Sequence, residues 1–172
     1  ARNTFLLERG KPVSDVLWYL GDEIQQKPNQ REPFPEGYKY DYCNTDALMT
    51  RMDVKDGQWV TPDGIRYRLM WIPDAGTRLL PATVKRLTEL VHRGGILVAD
   101  APQHPATRLE AEDLKAFHAD VNALWKGDTG KGQVLSGMSI EEALRILQIE
   151  PDVKPTQAQW LHRKADGADW YM

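Results

Sequence analysis

Residues 65–99 run strand, helix and strand, a succession that few folds accommodate. Residues 65–72 (IRYRLMWI) are apolar enough for a buried strand, and residues 96–99 predict a second one. Pro81 predicts the start of the intervening helix, because its missing N–H costs nothing in the first turn, and Gly94 with Gly95 predicts its end. Two strands joined by a helix form a βαβ unit, so the sequence predicts a parallel sheet with a right-handed crossover.

Two segments nearer the N-terminus extend this predicted sheet. Residues 13–20 (VSDVLWYL) are almost continuously apolar, which is typical of a strand buried on both faces of a parallel sheet. Residues 38–43 alternate aromatic and polar side chains and predict a short strand. The segment 22–37 between them contains three prolines and no periodicity, so we expect a long surface loop. Residues 5–9 predict the tail of a helix that Gly10 ends.

Turn and cap signals place the remaining elements. Asp56 and Gly57 predict the turn of a β-hairpin over residues 49–60. A capping box from Ser139 to Glu142 predicts a helix that continues to residue 147. An earlier helix is predicted from an apolar stripe of four side chains, namely Leu114, Phe117, Val121 and Leu124. Residues 157–163 predict a strand, with a turn at Asp166 and Gly167 leading to its partner.

These elements predict an α/β fold. We expect a flavodoxin-like three-layer sandwich with a mostly parallel sheet and a β-hairpin insertion. Residues 1–156 would form this domain, and residues 157–172 would begin a following β-segment. The chain lacks an initiating Met and stops just after this last strand begins, so we expect an excised piece of a longer protein.

Composition excludes several partners. The chain has 172 residues, with 22 Lys and Arg against 25 Asp and Glu, and a formal net charge of −3. This balance provides no electrostatic footprint for nucleic acid or an anionic membrane. No apolar run approaches the roughly 20 residues that span a bilayer. We therefore expect neither a nucleic-acid nor a membrane partner.

Neither a metal nor a cofactor is predicted. The segment 127–132 (GDTGKG) lacks the spacing of a phosphate loop, and the dinucleotide-binding glycine pattern is absent. The histidines never occur at the i, i+4 spacing of a helical zinc site; they are His92, His104, His118 and His162.

Cys43 is the single cysteine and the one candidate nucleophile. An amidotransferase-type cysteine sits on a tight strand-to-helix elbow with small neighbours, whereas Cys43 lies between Tyr42 and Asn44 and no helix is predicted after it. A buried packing role is the favoured interpretation, since free cysteine is common in protein cores.

Acidic and amide side chains follow the predicted strands at their carboxyl ends, where open α/β sheets bind ligands. Asp22 and Glu23 follow the first strand, and Asp74 follows the strand at 65–72. Asp41 and Asn44, with Asp46, lie near the same edge. Paired carboxylates are also the groups that hydrolyse glycosides. We expect Asp22, Glu23, Asp41 and Asn44 to be candidate substrate-cleft contacts, and we predict no catalytic residue.

The order of several motifs resembles glycoside hydrolase family 106, the α-L-rhamnosidases. The resemblance covers nearly the whole chain and includes a His-Arg-x-x-x-Gly-x-Asp pattern at 162–169. Its longest parts are RGKPVSDVLWYLGDE, PEGYKYDYCNTDAL, VKDGQWVTPDGIRYRLMWIPD, LLPATVKRLTELVHRGGILVADAPQHP, SIEEALRILQIEPD and WLHRKADGADWYM.

This resemblance implies an accessory, glutamine-amidotransferase-like α/β domain that lies C-terminal to a catalytic TIM barrel. The parent would be a secreted or periplasmic enzyme that hydrolyses α-L-rhamnosyl linkages in plant-type glycans with inversion. No position in this chain matches the catalytic glutamates of the barrel, so the resemblance assigns no catalytic residue to it. The four cleft candidates match recurring polar positions of this segment. The chain would pack against the missing barrel through an apolar patch near Leu79, Leu80 and Trp170.

Three hypotheses remain open at this point. The first is an inert accessory domain that meets rhamnose-containing glycans only through its parent enzyme. The second is a self-contained amidotransferase-like hydrolase that uses Cys43. The third is a carbohydrate-binding or interaction module.

Overall fold

A computed structural model describes residues 10–23, 34–73, 78–154 and 160–172. The predicted helix tail at 5–9, most of the predicted loop at 22–37, Asp74 and the start of the predicted strand at 157–163 lie outside these described residues. In chain order the strands are β1 (Lys11–Pro12), β2 (Val16–Tyr19), β3 (Tyr40–Cys43), β4 (Asp53–Lys55), β5 (Gln58–Val60), β6 (Arg66–Tyr67), β7 (Leu69–Trp71), β8 (Ile96–Val98), β9 (Gln133–Leu135), β10 (His162–Ala165) and β11 (Ala168–Tyr171). The helices are α1 (Thr45–Thr50), α2 (Pro81–His92), α3 (Ala111–Lys126) and α4 (Ile140–Ile146).

Five parallel strands form the central sheet, in the order β3-β2-β7-β8-β9. Every residue of β2 is buried, and this strand pairs with β3 on one side and β7 on the other. The buried parallel strand predicted from the apolar run at 13–20 is therefore confirmed. In chain order the first strand of this sheet is β2, and it lies between the second, β3, and the third, β7. The strand order therefore reverses at β2: β3 is added on one side of it and all later strands on the other.

The two faces of the sheet are covered differently. Leu17 and Tyr19 of β2 face a core built from α1, α2, α3 and the β4–β5 hairpin. Val16 and Trp18 face the opposite side, where α4 packs. The chain thus forms a mixed α/β fold with helices on both faces of a mainly parallel sheet.

The prediction of a single strand over residues 65–72 is wrong, because the segment divides at Arg68 into β6 and β7. β6 pairs antiparallel with β5 in a three-stranded sheet, whereas β7 enters the central sheet. The backbone N–H of Arg68 donates to the carbonyl of Asp15 at 2.8 Å, which directs the chain from one sheet into the other. Apolar periodicity alone cannot reveal such a change of partner.

Helix α1 was not predicted. Residues 49 and 50 were assigned to the hairpin, but they form the last turn of a six-residue helix. Asn44 caps this helix, since its side-chain oxygen accepts from the backbone N–H of Ala47 at 2.9 Å. With Leu48 as its one buried residue, the helix is too short for a detectable apolar stripe.

Other local predictions are confirmed. Helix α2 begins at Pro81, and the capping box of Ser139 and Glu142 opens α4. Asp56 and Gly57 both have positive φ, as the two-residue turn of a hairpin requires. None of the helices among the described residues is long and apolar enough to cross a membrane.

β10 and β11 form the C-terminal hairpin, which turns at Asp166 and Gly167 as predicted. β10 also pairs with β1, so that Lys11 lies opposite Lys164. The last described strands are therefore joined to the first. The division of the chain at residue 156 stays a prediction.

Candidate functional site

Asp22 lies just beyond the carboxyl end of β2, and its carboxylate accepts four hydrogen bonds. The hydroxyls of Tyr19, Thr45 and Thr83 donate to Oδ1 at 2.8, 2.7 and 2.9 Å. The backbone N–H of Leu80 donates to Oδ2 at 2.7 Å. One carboxylate therefore joins β2 to the first turns of α1 and α2.

The position of Asp22 is the one that a ligand would take in this kind of sheet. Open α/β folds bind ligands at the carboxyl ends of the strands, where the strand order reverses, and here that point is β2. Leu80 is the N-cap of α2 and provides no side-chain cap. The carboxylate of Asp22 satisfies this helix start, which is the usual location for a bound anion. The Asp22 carboxylate therefore takes the backbone donor that a bound anion could otherwise use at this helix start.

The donors around Asp22 are held neutral and in place. Burial, together with the charge of Asp22, raises the pKa of the Tyr19 phenol far above its ordinary value. Tyr19 therefore stays protonated and keeps donating. Its oxygen is also 2.9 Å from the Thr45 hydroxyl, while the Thr83 side chain is fully buried. The arrangement is that of a structural network with satisfied partners.

The other three predicted cleft residues are placed separately. Glu23 lies 3.7 Å from the guanidinium of Arg78, with both side chains about half exposed. Asn44 caps α1. Asp41 accepts from the hydroxyl of Tyr67 at 3.1 Å. The structure thus brings Asp22 close to α1, which Asn44 caps, but it provides no facing pair of free carboxylates among these four. A role for them beside a substrate cleft stays a prediction.

Cys43 ends β3 and α1 follows it directly, so a strand-to-helix junction exists where the sequence predicted none. The cysteine is 1% exposed, and its thiol donates to the carbonyl of Asn44 at 3.4 Å. Burial raises the pKa of the Cys43 thiol to about 12. A thiol in this environment stays protonated near neutral pH and is a poor nucleophile.

The tryptophans that could stack on sugars are largely internal. Trp18 and Trp71 are buried, and their ring centroids are 4.7 Å apart. Phe34 and Tyr40 pack at the margin of this group, 4.6 Å from each other. Trp18 and Trp71 therefore belong to the core of the domain.

Three of the histidines, His92, His104 and His118, are exposed. Across the described part of the chain, no group of three or more His, Cys, Asp or Glu side chains is arranged to hold a metal ion. The glycine-rich turn at 127–132 joins α3 to β9. A Cβ on Gly132 would meet the carbonyl oxygens of Val91 and Gly95, so this glycine permits a close backbone approach.

Sequence reasoning missed a second buried polar cluster, around His162. Its ring lies between the carboxylates of Asp152 and Asp169, and Asp15 is buried beside them. The His-Arg-x-x-x-Gly-x-Asp pattern contained the signal for the His162 and Asp169 pair. In an antiparallel hairpin with its turn at 166–167, residues 162 and 171 lie opposite each other, and 169 lies opposite 164.

Comparisons with known proteins agree with this architecture. A solved rhamnosidase from Novosphingobium sp. PP1Y superposes with a TM-score of 0.84 over 99% of this chain, at 28% sequence identity. A protein from Formosa agariphila, provisionally named a beta-glucuronidase, is 30% identical over 181 residues and is matched by the whole chain. The chain spans 15% of the length of the Formosa protein and 18% of the Novosphingobium one.

The sequence model of glycoside hydrolase family 106, described as alpha-L-rhamnosidase, matches residues 1–172. The chain therefore belongs to glycoside hydrolase family 106.

Proposed function

We propose that this chain is a non-catalytic accessory domain of a glycoside hydrolase of the α-L-rhamnosidase type. The parent enzyme would hydrolyse α-L-rhamnosyl linkages in plant-type glycans, outside the cell or in the periplasm. The domain would lie C-terminal to the catalytic barrel and would meet rhamnose-containing glycans only through that parent. Its inclusion in the family and the small share of each longer relative that it spans both support this proposal.

The observation that carries the proposal is the set of four hydrogen bonds that the Asp22 carboxylate accepts at the carboxyl end of β2. A ligand-binding α/β domain leaves backbone donors free at the helix starts that face the switch point. Here the carboxylate of Asp22 takes the N–H of Leu80 and three hydroxyls. A substrate at this position would have to displace a half-buried carboxylate that already accepts four hydrogen bonds.

The flavodoxin-like, class I amidotransferase-like assignment is part of this proposal. Numbered by their order in the chain, the five central strands are arranged 2-1-3-4-5, which is the flavodoxin-like order. The buried, protonated thiol of Cys43 supports a member of that group without a working nucleophile. Function is nevertheless argued from the site, because one fold hosts many activities.

The domain would pack against the remainder of the enzyme through exposed apolar side chains on its C-terminal hairpin. Leu161 and Trp170 lie on the same face of this hairpin and are 48% and 38% exposed. Of the expected patch near Leu79, Leu80 and Trp170, Leu79 is buried and its carbonyl accepts from the N–H of Ala106, whereas Trp170 is exposed. The hairpin is therefore the better candidate for the docking face.

Thiol labelling of Cys43 tests the proposal against the hydrolase hypothesis. The rise in pKa from 9.0 to about 12 implies a thiolate population about a thousandfold below that of an ordinary cysteine at neutral pH. We expect negligible labelling of the folded chain by a thiol-specific reagent at pH 7, and complete labelling once the chain is unfolded in urea. The reaction is followed by intact-protein mass spectrometry, with Cys43→Ser as the unlabelled control. Rapid labelling of the folded chain would instead favour a reactive nucleophile.

A further inference from the structure

His162 lies at the centre of a partly buried ionic cluster that the proposed function does not use. Its Nδ1 is 2.7 Å from Oδ2 of Asp152, and its Nε2 is 2.9 Å from Oδ1 of Asp169. The ring stacks on Tyr171, with centroids 4.4 Å apart and planes inclined by 20°. The side chain of His162 is 6% exposed.

The geometry requires two N–H donors on one imidazole ring. A neutral imidazole has a single N–H, so it could satisfy only one of the two ionised carboxylates. An imidazolium donates to both at once. Burial alone would lower the pKa of His162, but the hydrogen bonds with Asp152 and Asp169 outweigh burial and raise the pKa above its ordinary value.

The surrounding charges also favour a proton on His162. Asp15 is buried and interacts with both Asp152 and His162. Positive charge reaches the cluster from Arg68, which acts on Asp15, and from Lys164, whose Nζ is 3.9 Å from Asp169. Three further groups face the cluster: the backbone N–H of Lys39, 3.4 Å from Asp15, the phenol of Tyr171, and the phenol of Tyr38, which interacts with the charge of Asp15. If His162 lost its proton, only the peripheral cations would remain to balance the three carboxylates of the cluster.

The members of the cluster come from separate parts of the fold. His162 and Asp169 belong to the two strands of the C-terminal hairpin, Asp152 follows α4, and Asp15 immediately precedes β2. The carbonyl of His162 also accepts from the N–H of Val13 at 3.0 Å. The imidazole therefore connects the hairpin to the body of the domain.

We propose that His162, as an imidazolium, joins Asp152 to Asp169 and so holds the C-terminal hairpin against the domain. We call this role a proton-dependent pin. When His162 loses its proton, one of these two hydrogen bonds is lost, the carboxylates repel one another, and the hairpin loosens. This inference does not depend on what the parent protein hydrolyses.

The direction of the pH dependence follows from the pKa shifts. His162 has a raised pKa in the folded state, so its contribution to stability is complete below 6.5 and is lost as the pH rises through the folded value. Burial and Asp152 raise the pKa of Asp15 from 3.8 to about 6, so ionisation of Asp15 removes stability across that interval. The hydrogen bond from His162 lowers the pKa of Asp169, and this contribution is lost only in stronger acid. The hairpin should be held most firmly in mild acid and should loosen towards alkaline pH.

A histidine titration by NMR tests this proposal on the wild-type chain. The reference is the ordinary histidine pKa of about 6.5. We expect His162 to titrate above this value. The amide protons of the hairpin strands, measured against their intrinsic exchange rates, should lose protection over the same pH interval. Titration of His162 at or below the ordinary value, or hairpin protection that is unchanged across its titration, would overturn the proposal.

A conservative variant separates the proton-dependent role from simple packing. Asp169→Asn keeps an oxygen acceptor and removes one charge from a side chain that is 45% exposed, so the fold should persist. We expect the titration midpoint of His162 to be lower in this variant than in the wild type. Asp63→Asn removes the same charge from an exposed turn and should leave the midpoint unchanged. An unchanged midpoint in Asp169→Asn would contradict a proton-dependent pin.

Discussion

Asp22→Ala is expected to lower the free energy of unfolding by about 3 kcal/mol, because it leaves several partly buried donors without an acceptor. The hydroxyls of Tyr19, Thr45 and Thr83 and the N–H of Leu80 all donate to this carboxylate. For a domain of this size the loss corresponds to a decrease of roughly 6–12 °C in melting temperature. Thermal and urea unfolding, followed by circular dichroism, measure both quantities.

The neighbouring Glu23 provides the matched control. Glu23→Gln breaks a long, half-exposed ion pair with Arg78 at 3.7 Å. Pairs of this kind contribute about 0–1 kcal/mol, so this variant should unfold almost like the wild type. Equal stability losses in Asp22→Ala and Glu23→Gln would contradict the central structural role given to Asp22.

Trp59→Ala is expected to have the other large effect, about 3–5 kcal/mol of lost stability. Trp59 is fully buried, and its indole N–H donates to the carbonyl of Ile96 at 2.9 Å. A Cβ on Gly95 would lie 3.0 Å from the indole, so this glycine lets the ring pack directly on the chain before β8. Removing the ring would leave a cavity and detach the β4–β5 hairpin from the core. Chemical denaturation measures the loss.

Two variants make the result for Trp59 specific. Trp59→Phe keeps an aromatic ring and loses the hydrogen bond, so it should cost less than Trp59→Ala. Trp170→Ala removes the same side chain from a position that is 38% exposed, and it should have a small effect on the isolated chain. If Trp59→Ala and Trp170→Ala were equally stable, Trp59 would not anchor the β4–β5 hairpin to the core.

Sequence reasoning predicted the parts of the fold that depend on local chemistry. Pro81 begins α2, Ser139 caps α4, and Asp56 with Gly57 forms a hairpin turn, because each residue satisfies a backbone requirement within a few positions. The parallel sheet followed from the strand, helix and strand at 65–99. Such signals need no knowledge of distant residues.

Features that depend on tertiary contacts could not be predicted. The division of the segment 65–72 results from a bond between Arg68 and Asp15, which are more than 50 positions apart. Helix α1 is fixed by one cap and one buried leucine, a signal too weak to recognise in sequence. In both cases packing, rather than local preference, determines the outcome.

The position of the candidate site could be predicted from the sequence, but the groups that bind its carboxylate could not. Asp22 could be placed at the carboxyl end of a strand, yet its partners Thr45 and Thr83 lie 23 and 61 positions away. The His-Arg-x-x-x-Gly-x-Asp pattern contains His162 and Asp169, but the two were not paired by sequence reasoning, and nothing near them in sequence indicated Asp15 or Asp152. Sequence reasoning therefore identified the Asp22 carboxylate without identifying the groups that bind it.

Activity of the isolated, folded chain on an aryl α-L-rhamnoside tests the central claim most directly. A full-length rhamnosidase serves as the positive control, and circular dichroism verifies that the chain is folded. The account predicts no release of the aryl group above the buffer rate, because the Asp22 carboxylate is engaged by four hydrogen bonds and the thiol of Cys43 is buried and protonated. Release that increases with chain concentration and decreases in Cys43→Ser or Asp22→Asn would contradict it.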